Sequence, residues 1–183
     1  MFNTWEWIRI CGFLAYFYFT VSVIFGLFRK TPSITKQKNL LFHLHLNAGW
    51  LGLLALALHV LLLLIDRYQP YRVIEILVPF TANYKPILSA LGTLGLFIFL
   101  IVIMTSDLLI SKMNRKLWKS IHFLVLPAWI LIFLHGLFIG TDSANPIIEI
   151  FYILTGSIII IASILRVYGS YMKTTAQALN KKG

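Results

Sequence analysis

Cysteine is almost absent: Cys11 is the only one in 183 residues. One thiol excludes an intrachain disulfide framework, a cysteine-held iron–sulfur cluster and a thiolate zinc site. Charge is scarce too. Charged residues make up 12% of the chain against 59% hydrophobic, and the mean hydropathy is +0.84, which excludes a soluble globular domain. Acidic residues are the rarer sign, six against sixteen basic, for a net charge of +10. Nucleic acid is not the expected partner, because the basic residues sit in short clusters between apolar runs. That pattern is membrane topology, and the lipid bilayer is the first partner it implies. A chain this long has room for one bundle and no second sizeable domain.

What remains is hydrocarbon. Apolar runs of about the 20 residues needed to cross a bilayer recur along the chain. They cover about 8–28, 39–65, 87–109, 117–139 and 147–168. The expected fold is an all-α membrane protein, a bundle of five transmembrane helices in a single domain over 1–183. The first run is followed by the basic pair Arg29-Lys30 instead of being preceded by one, and no A-x-A-like site follows it, so it reads as a retained span and not a signal peptide. Pro32 breaks the loop after it, YRVIEILVPF is an amphipathic segment too short to span, and TDSANP is a tight polar turn.

Lys and Arg set the orientation. Arg29, Lys30, Lys36 and Lys38, then Lys112, Arg115, Lys116 and Lys119, then Arg166, Lys173, Lys181 and Lys182 fall on one side. Arg9, Arg67, Arg72 and Lys85 fall on the other, and twelve against four puts the N-terminus outside and the C-terminus in the cytoplasm.

Four histidines lie inside this hydrocarbon. An intramembrane histidine is a functional hypothesis by default, because nothing nearby satisfies it unless a partner is supplied. His45 and His59 are fourteen residues apart, which on an ideal helix leaves them about 40° apart in azimuth and about 21 Å apart along the axis. Gly49 and Gly52 lie between them on the same stripe and open it to a flat group, or serve as a helix-packing motif. His122 and His135 lie on the fourth span, with Trp129 between them as a residue that stands between two sites or simply packs. Both spans run from cytoplasm to outside, so His45 matches His122 in depth and His59 matches His135. Two bis-histidine pairs at two depths are what two hexacoordinate b-type hemes require, His45/His122 for the inner and His59/His135 for the outer. The competing reading is that each histidine merely packs or hydrogen-bonds. A single shared metal ion does not fit, since the pairs are far apart and no acidic residue or cysteine completes a tetrahedral set. His43 points about 200° away from His45 and is left out of the ligand set. Lys38, Arg115, Lys116 and Lys119, and Arg67, Arg72 and Lys85 on the other side, are propionate partners or topology signals only. One feature fits poorly: thirteen residues put His135 about 140° from His122 on an ideal helix. Pro127 permits a tightened turn that reduces the mismatch.

The spacings His45-x13-His59 and His122-x12-His135, with the W-K-x-x-H run Trp118, Lys119 and His122, resemble the ferric-reductase-like transmembrane domain of NADPH oxidases, iron reductases and the heme-binding membrane subunit of methionine sulfoxide reductase. The resemblance covers about residues 38–140. It implies two hemes b and electron flow from the cytoplasm outward. Nothing resembles the flavin- and NADPH-binding domain of the oxidases, and the sulfoxide reductase subunit typically has an arginine where this chain has His45. The expected function is a diheme cytochrome b in a bacterial plasma membrane, with no flavin or nicotinamide site of its own. Its donor is a separate flavoprotein reductase or a quinol, and its acceptor is ferric iron, oxygen or an extracytoplasmic redox protein. The alternative is an anchor or assembly subunit that binds one heme or none.

Overall fold

The structure, a computed structural model, describes residues 3–29, 37–140 and 145–179, without the side chains of 170 and 173–179. Pro32, Lys30, Lys36, Lys181, Lys182, the side chain of Lys173 and most of the TDSANP turn lie outside the described residues. Every regular element among those described is helical: α1 (Thr4–Phe28), α2 (Lys38–Ile65), α3 (Val73–Leu77), α4 (Pro86–Asp107), α5 (Arg115–His122), α6 (Val125–Ile139) and α7 (Pro146–Leu179). A 3-10 turn, Ile110–Lys112, links α4 to α5.

Five stretches are long and apolar enough to cross a membrane: Thr4–Phe28, Lys38–Ile65, Pro86–Asp107, Arg115–Ile139 and Pro146–Gly169. The first starts before the apolar run because Asn3 caps it. The Asn3 side chain accepts from Glu6 N at 2.9 Å while the Glu6 carboxylate accepts from Asn3 N at 2.8 Å. In hydrocarbon each backbone group must be satisfied internally, which is why these sequences settle as helices.

The bundle is organised around α1. It packs along α2 and also meets α6 and α7, and nine of its residues, among them Tyr16, Phe19, Thr20 and Ser22, are buried. Two polar contacts knit this core, since an apolar exterior leaves packing and interhelical hydrogen bonds to drive association. Tyr16 Oη and Thr155 Oγ1 lie 2.6 Å apart, tying α1 to α7, and Trp129 Nε1 donates to Thr20 Oγ1 at 2.8 Å, tying α6 to α1. The second close pairing is α4 with α6, so the bundle core contains two helix hairpins, α1–α2 and α4–α5–α6.

The fourth span is two helices. Pro127 has no N–H to give the Phe123 carbonyl, which instead accepts from Leu126 N at 3.3 Å; Leu124 N likewise bonds Ile121 O at 2.9 Å. These i→i−3 bonds wind the chain at about 120° per residue in place of 100°. The tightening moves His135 toward the face of His122, and both imidazoles end on α4.

One end of the bundle is closed by residues 66–85, with α3 in their middle. Glu75, 3% exposed, organises it: its carboxylate accepts from Arg72 N at 2.7 Å and Asn83 N at 2.9 Å. Lys85, at φ 41°, precedes α4 and sends its ammonium to the Phe138 and Ile139 carbonyls at 3.0 and 3.4 Å. That cation satisfies the exposed C-terminus of α6. The opposite end carries the C-terminus of α1, the N-terminus of α2 and the connection from α4 to α5.

Candidate functional site

The four histidines fall into two pairs at the two ends of the bundle. Toward the end away from α3, His45 of α2 faces His122 of α5, their ring centroids 6.0 Å apart and their planes at 75°. Toward the α3 end, His59 of α2 and His135 of α6 line one cavity of about 610 Å³.

Each ring is held through Nδ1. His45 Nδ1 donates to the Ser22 carbonyl at 2.8 Å, with Ser22 Oγ at 3.0 Å, and Ser22 Oγ donates back to the His45 carbonyl at 2.9 Å. His59 Nδ1 donates to the Ile8 carbonyl at 2.9 Å, and His135 Nδ1 to the Leu88 carbonyl at 2.8 Å. A carbonyl only accepts, so in these three rings the proton sits on Nδ1 and the lone pair on Nε2. His122 Nδ1 meets Ser106 Oγ at 3.0 Å, and the same oxygen receives Trp118 Nε1 at 3.2 Å. The Trp118 ring also stacks on His122 at 5.1 Å. A hydrogen-bond acceptor on Nδ1 that leaves Nε2 for a metal is the usual arrangement of a ligating histidine.

The surroundings of the His59/His135 pair fit a flat, apolar prosthetic group. The larger cavity lies within the range of about 300–1,000 Å³ typical of ligand sites. Its walls include Phe13, Leu56, Val60, Leu96 and Ile132, with Tyr71, Glu75 and Ser89 at the α3 end. Burial pushes the Tyr71 phenol up, while the main-chain N–H groups of Arg72 and then Asn83 hold the Glu75 carboxyl below the usual carboxylate range. The second cavity is a crevice of about 60 Å³ around His45, His122, Ser22, Ser106 and Gly49. Two imidazoles bound to one metal from opposite sides, with metal–nitrogen bonds of about 2 Å, stand about 6 Å apart centre to centre. The His45–His122 separation of 6.0 Å matches that span.

The other sequence candidates separate. Gly49 lines the crevice, and a Cβ there meets Ser22 Oγ at 3.6 Å, an ordinary contact. Gly52 instead makes room for a ring: a Cβ there lies 2.8 Å from the Phe19 side chain. Trp129, 3% exposed, packs in the core on Tyr16 and Phe133 and is on the wall of neither cavity. His43 lies exposed beside Phe42. Arg72 pairs with Glu75 at 3.6 Å, and Lys85 is engaged by α6.

Between the pairs lies a contact that sequence reading missed. Phe19 of α1 and Phe99 of α4 stack at 4.0 Å with their planes at 12°, each 2% exposed. Phe19 lines both cavities and Phe99 lines the crevice. The partners Ile8, Ser22, Leu88 and Ser106 were missed as well. A fourteen-residue interval on α1, Gly12 to Gly26, equal to that from His45 to His59, was the available signal.

Searches against curated proteins and against solved structures return no match. The family model described as the ferric reductase like transmembrane component matches residues 11–133, taking in His45, His59 and His122 and stopping two residues short of His135. Domains of that family typically bind heme, and the match points to electron transfer across a membrane. With two thirds of its length matched and five helices long and apolar enough to cross a membrane, two of them carrying the paired histidines, the chain belongs to the family of ferric-reductase-like transmembrane components.

Proposed function

We propose that this protein is a transmembrane diheme cytochrome b that carries electrons from a cytoplasmic donor to an extracytoplasmic acceptor. The observation that carries the reading is the pairing of histidines at both ends of the bundle, with the Nδ1 of His45, His59 and His135 on main-chain carbonyls. His45 and His122 hold one heme b, and His59 and His135 hold the other. The bound groups supply one-electron exchange at iron. The protein fixes the tautomer of His45, His59 and His135, orients all four imidazoles, and fills the space between the pairs with the Phe19–Phe99 stack.

The basic excess at the end opposite α3 sets the orientation, with the N-terminus and the α3 end outside and the C-terminus in the cytoplasm. Lys112, Arg115, Lys116 and Lys119 then border the entry side. A bacterial plasma membrane is the proposed location. The donor is a separate flavoprotein reductase or a quinol, and the acceptor is ferric iron, oxygen or an extracytoplasmic redox protein. Residues 66–85 cover the exit side.

The test is a reduced-minus-oxidised spectrum of the purified protein with a pyridine hemochrome count. Two hemes b per chain are expected, falling to one in the double variant His45→Ala/His122→Ala. Absence of a Soret band refutes the reading in favour of an anchor subunit, and so does a single heme that survives that double substitution.

A further inference from the structure

Three of the four histidines are held by one local device. The carbonyls that receive their Nδ1 protons belong to Ile8, Ser22 and Leu88, and four residues later in each case stands a glycine: Gly12, Gly26 and Gly92. In an α-helix the carbonyl of residue i points along the axis to the N–H of i+4, and the Cβ of i+4 leans back toward the N-terminus over that carbonyl. Glycine at i+4 uncovers the second lone pair. A Cβ at Gly12 lies 3.0 Å from His59 Nδ1, one at Gly26 lies 3.2 Å from His45 Nδ1, and one at Gly92 lies 2.7 Å from His135 Cε1. Gly12 and Gly26 are fourteen residues apart on α1; fourteen residues after Gly92 on α4 stands Ser106, which meets His122 through its side chain.

We infer that Gly12, Gly26 and Gly92 are positioning residues that admit His59, His45 and His135 to main-chain carbonyls, and that Ser106, with Trp118, sets how strongly His122 donates to its metal. The inference rests on the diheme reading. A hydrogen-bond acceptor on Nδ1 raises the basicity of a ligating imidazole, and a more basic ligand favours the oxidised metal. The Ser106 hydroxyl oxygen already receives the indole N–H at 3.2 Å, so it is a weaker acceptor than a main-chain carbonyl. The Nδ1 contact of His122 is thus of a different kind from the three carbonyl contacts, and the difference is confined to the His45/His122 pair.

The experiment is a potentiometric titration of the purified full-length protein, preceded by a hemochrome count. Ser106→Ala removes the acceptor and is expected to raise the midpoint potential of one heme component only. Trp118→Phe keeps a stacking ring but frees the hydroxyl to accept from His122 alone, so the same component is expected to move the opposite way. Among the glycines, Gly26→Ala is expected to disturb that component mildly, while Gly12→Ala and Gly92→Ala disturb the other one, Gly92→Ala most. Gly169→Ala, with nothing within 4 Å of its Cβ, moves neither. If the wild type holds two hemes and Ser106→Ala and Trp118→Phe shift nothing, or shift the same way, the inference is overturned and the diheme reading stands. If the wild type holds fewer than two, the diheme reading fails and the inference falls with it. Should a glycine variant not fold, the opposed signs at Ser106 and Trp118 still decide.

Discussion

Replacing Phe19 and Phe99 by leucine, singly and together, tests whether the ring stack between the two histidine pairs is an energetic unit. The rings lie 4.0 Å apart at 12°, both 2% exposed, so neither has lipid or water to fall back on. Phe→Leu keeps much of the volume and costs below about 1.5 kcal/mol for shape alone. An aromatic pair contributes about 0.5–1.5 kcal/mol beyond burial. Each single variant is therefore expected to lose about 1–3 kcal/mol, and the double variant less than the sum by about 1 kcal/mol. Leucine is the right probe because the reference state is also in a hydrocarbon-like medium, where large-to-small transfer values from soluble cores do not apply. The assay is reversible unfolding in mixed micelles followed by helicity, analysed as a double-mutant cycle. Gly52→Ala should erode the same coupling, since its methyl would lie 2.8 Å from the Phe19 ring. Costs that add to within about 0.3 kcal/mol would show that the rings are neighbours without interaction.

Two further outcomes follow from the helix break and from the α3 end. Pro127→Ala restores an N–H for the Phe123 carbonyl and straightens α5 into α6, which turns His135 away from Leu88 O. The hemochrome count should fall from two to one, with the heme at His45/His122 retained; a count that stays at two refutes the role given to the break. Glu75 has a folded pKa held low by its main-chain donors. Its contribution to stability is complete above the ordinary glutamate value of about 4.3 and fades as pH falls through the lower folded value. Thermal midpoints measured from neutral to acidic pH should show an acid-side loss in the wild type that Glu75→Gln abolishes, and parallel profiles would exclude Glu75 as its source.

The spans were legible because a bilayer demands about 20 apolar residues and little else. The histidine pairs were legible because an imidazole in hydrocarbon stands out and its spacing fixes its depth. What escaped was whatever looks ordinary in a membrane helix. In the sequence nothing distinguishes Gly12, Gly26 and Gly92 from other small residues of membrane helices, or Phe19 and Phe99 from the many other apolar side chains, and nothing marks α1 as the central span that it is. Gly52 shares a stripe with His45, which leaves clearance for a flat group and helix packing both open; the ring it accommodates comes from α1, which no periodicity within α2 reveals. The rotation between His122 and His135 was visible as a misfit, and its remedy depends on which carbonyls lose partners near Pro127.

The two hairpins repeat one another with a regularity that makes their departures informative. Gly12 and Gly92, Phe19 and Phe99, and Gly26 and Ser106 are each eighty residues apart. α1 and α4 thus present the same three positions in the same order, and the central pair stacks. Two exceptions break the repeat. Ser106 replaces the fourth glycine, and the histidine interval in the second hairpin is thirteen residues instead of fourteen. Both fall at His122: the serine holds its Nδ1, and the 3-10 turn begins with the residue after it. Where local rules agree everywhere else, the place where they break is where a functional constraint is to be sought. Two equivalent histidine pairs would give no reason to concentrate the irregularities on one imidazole. The physical consequence is an asymmetric pair of histidine sites, with the end opposite α3 carrying the imidazole whose Nδ1 meets a side-chain hydroxyl where the other three meet main-chain carbonyls.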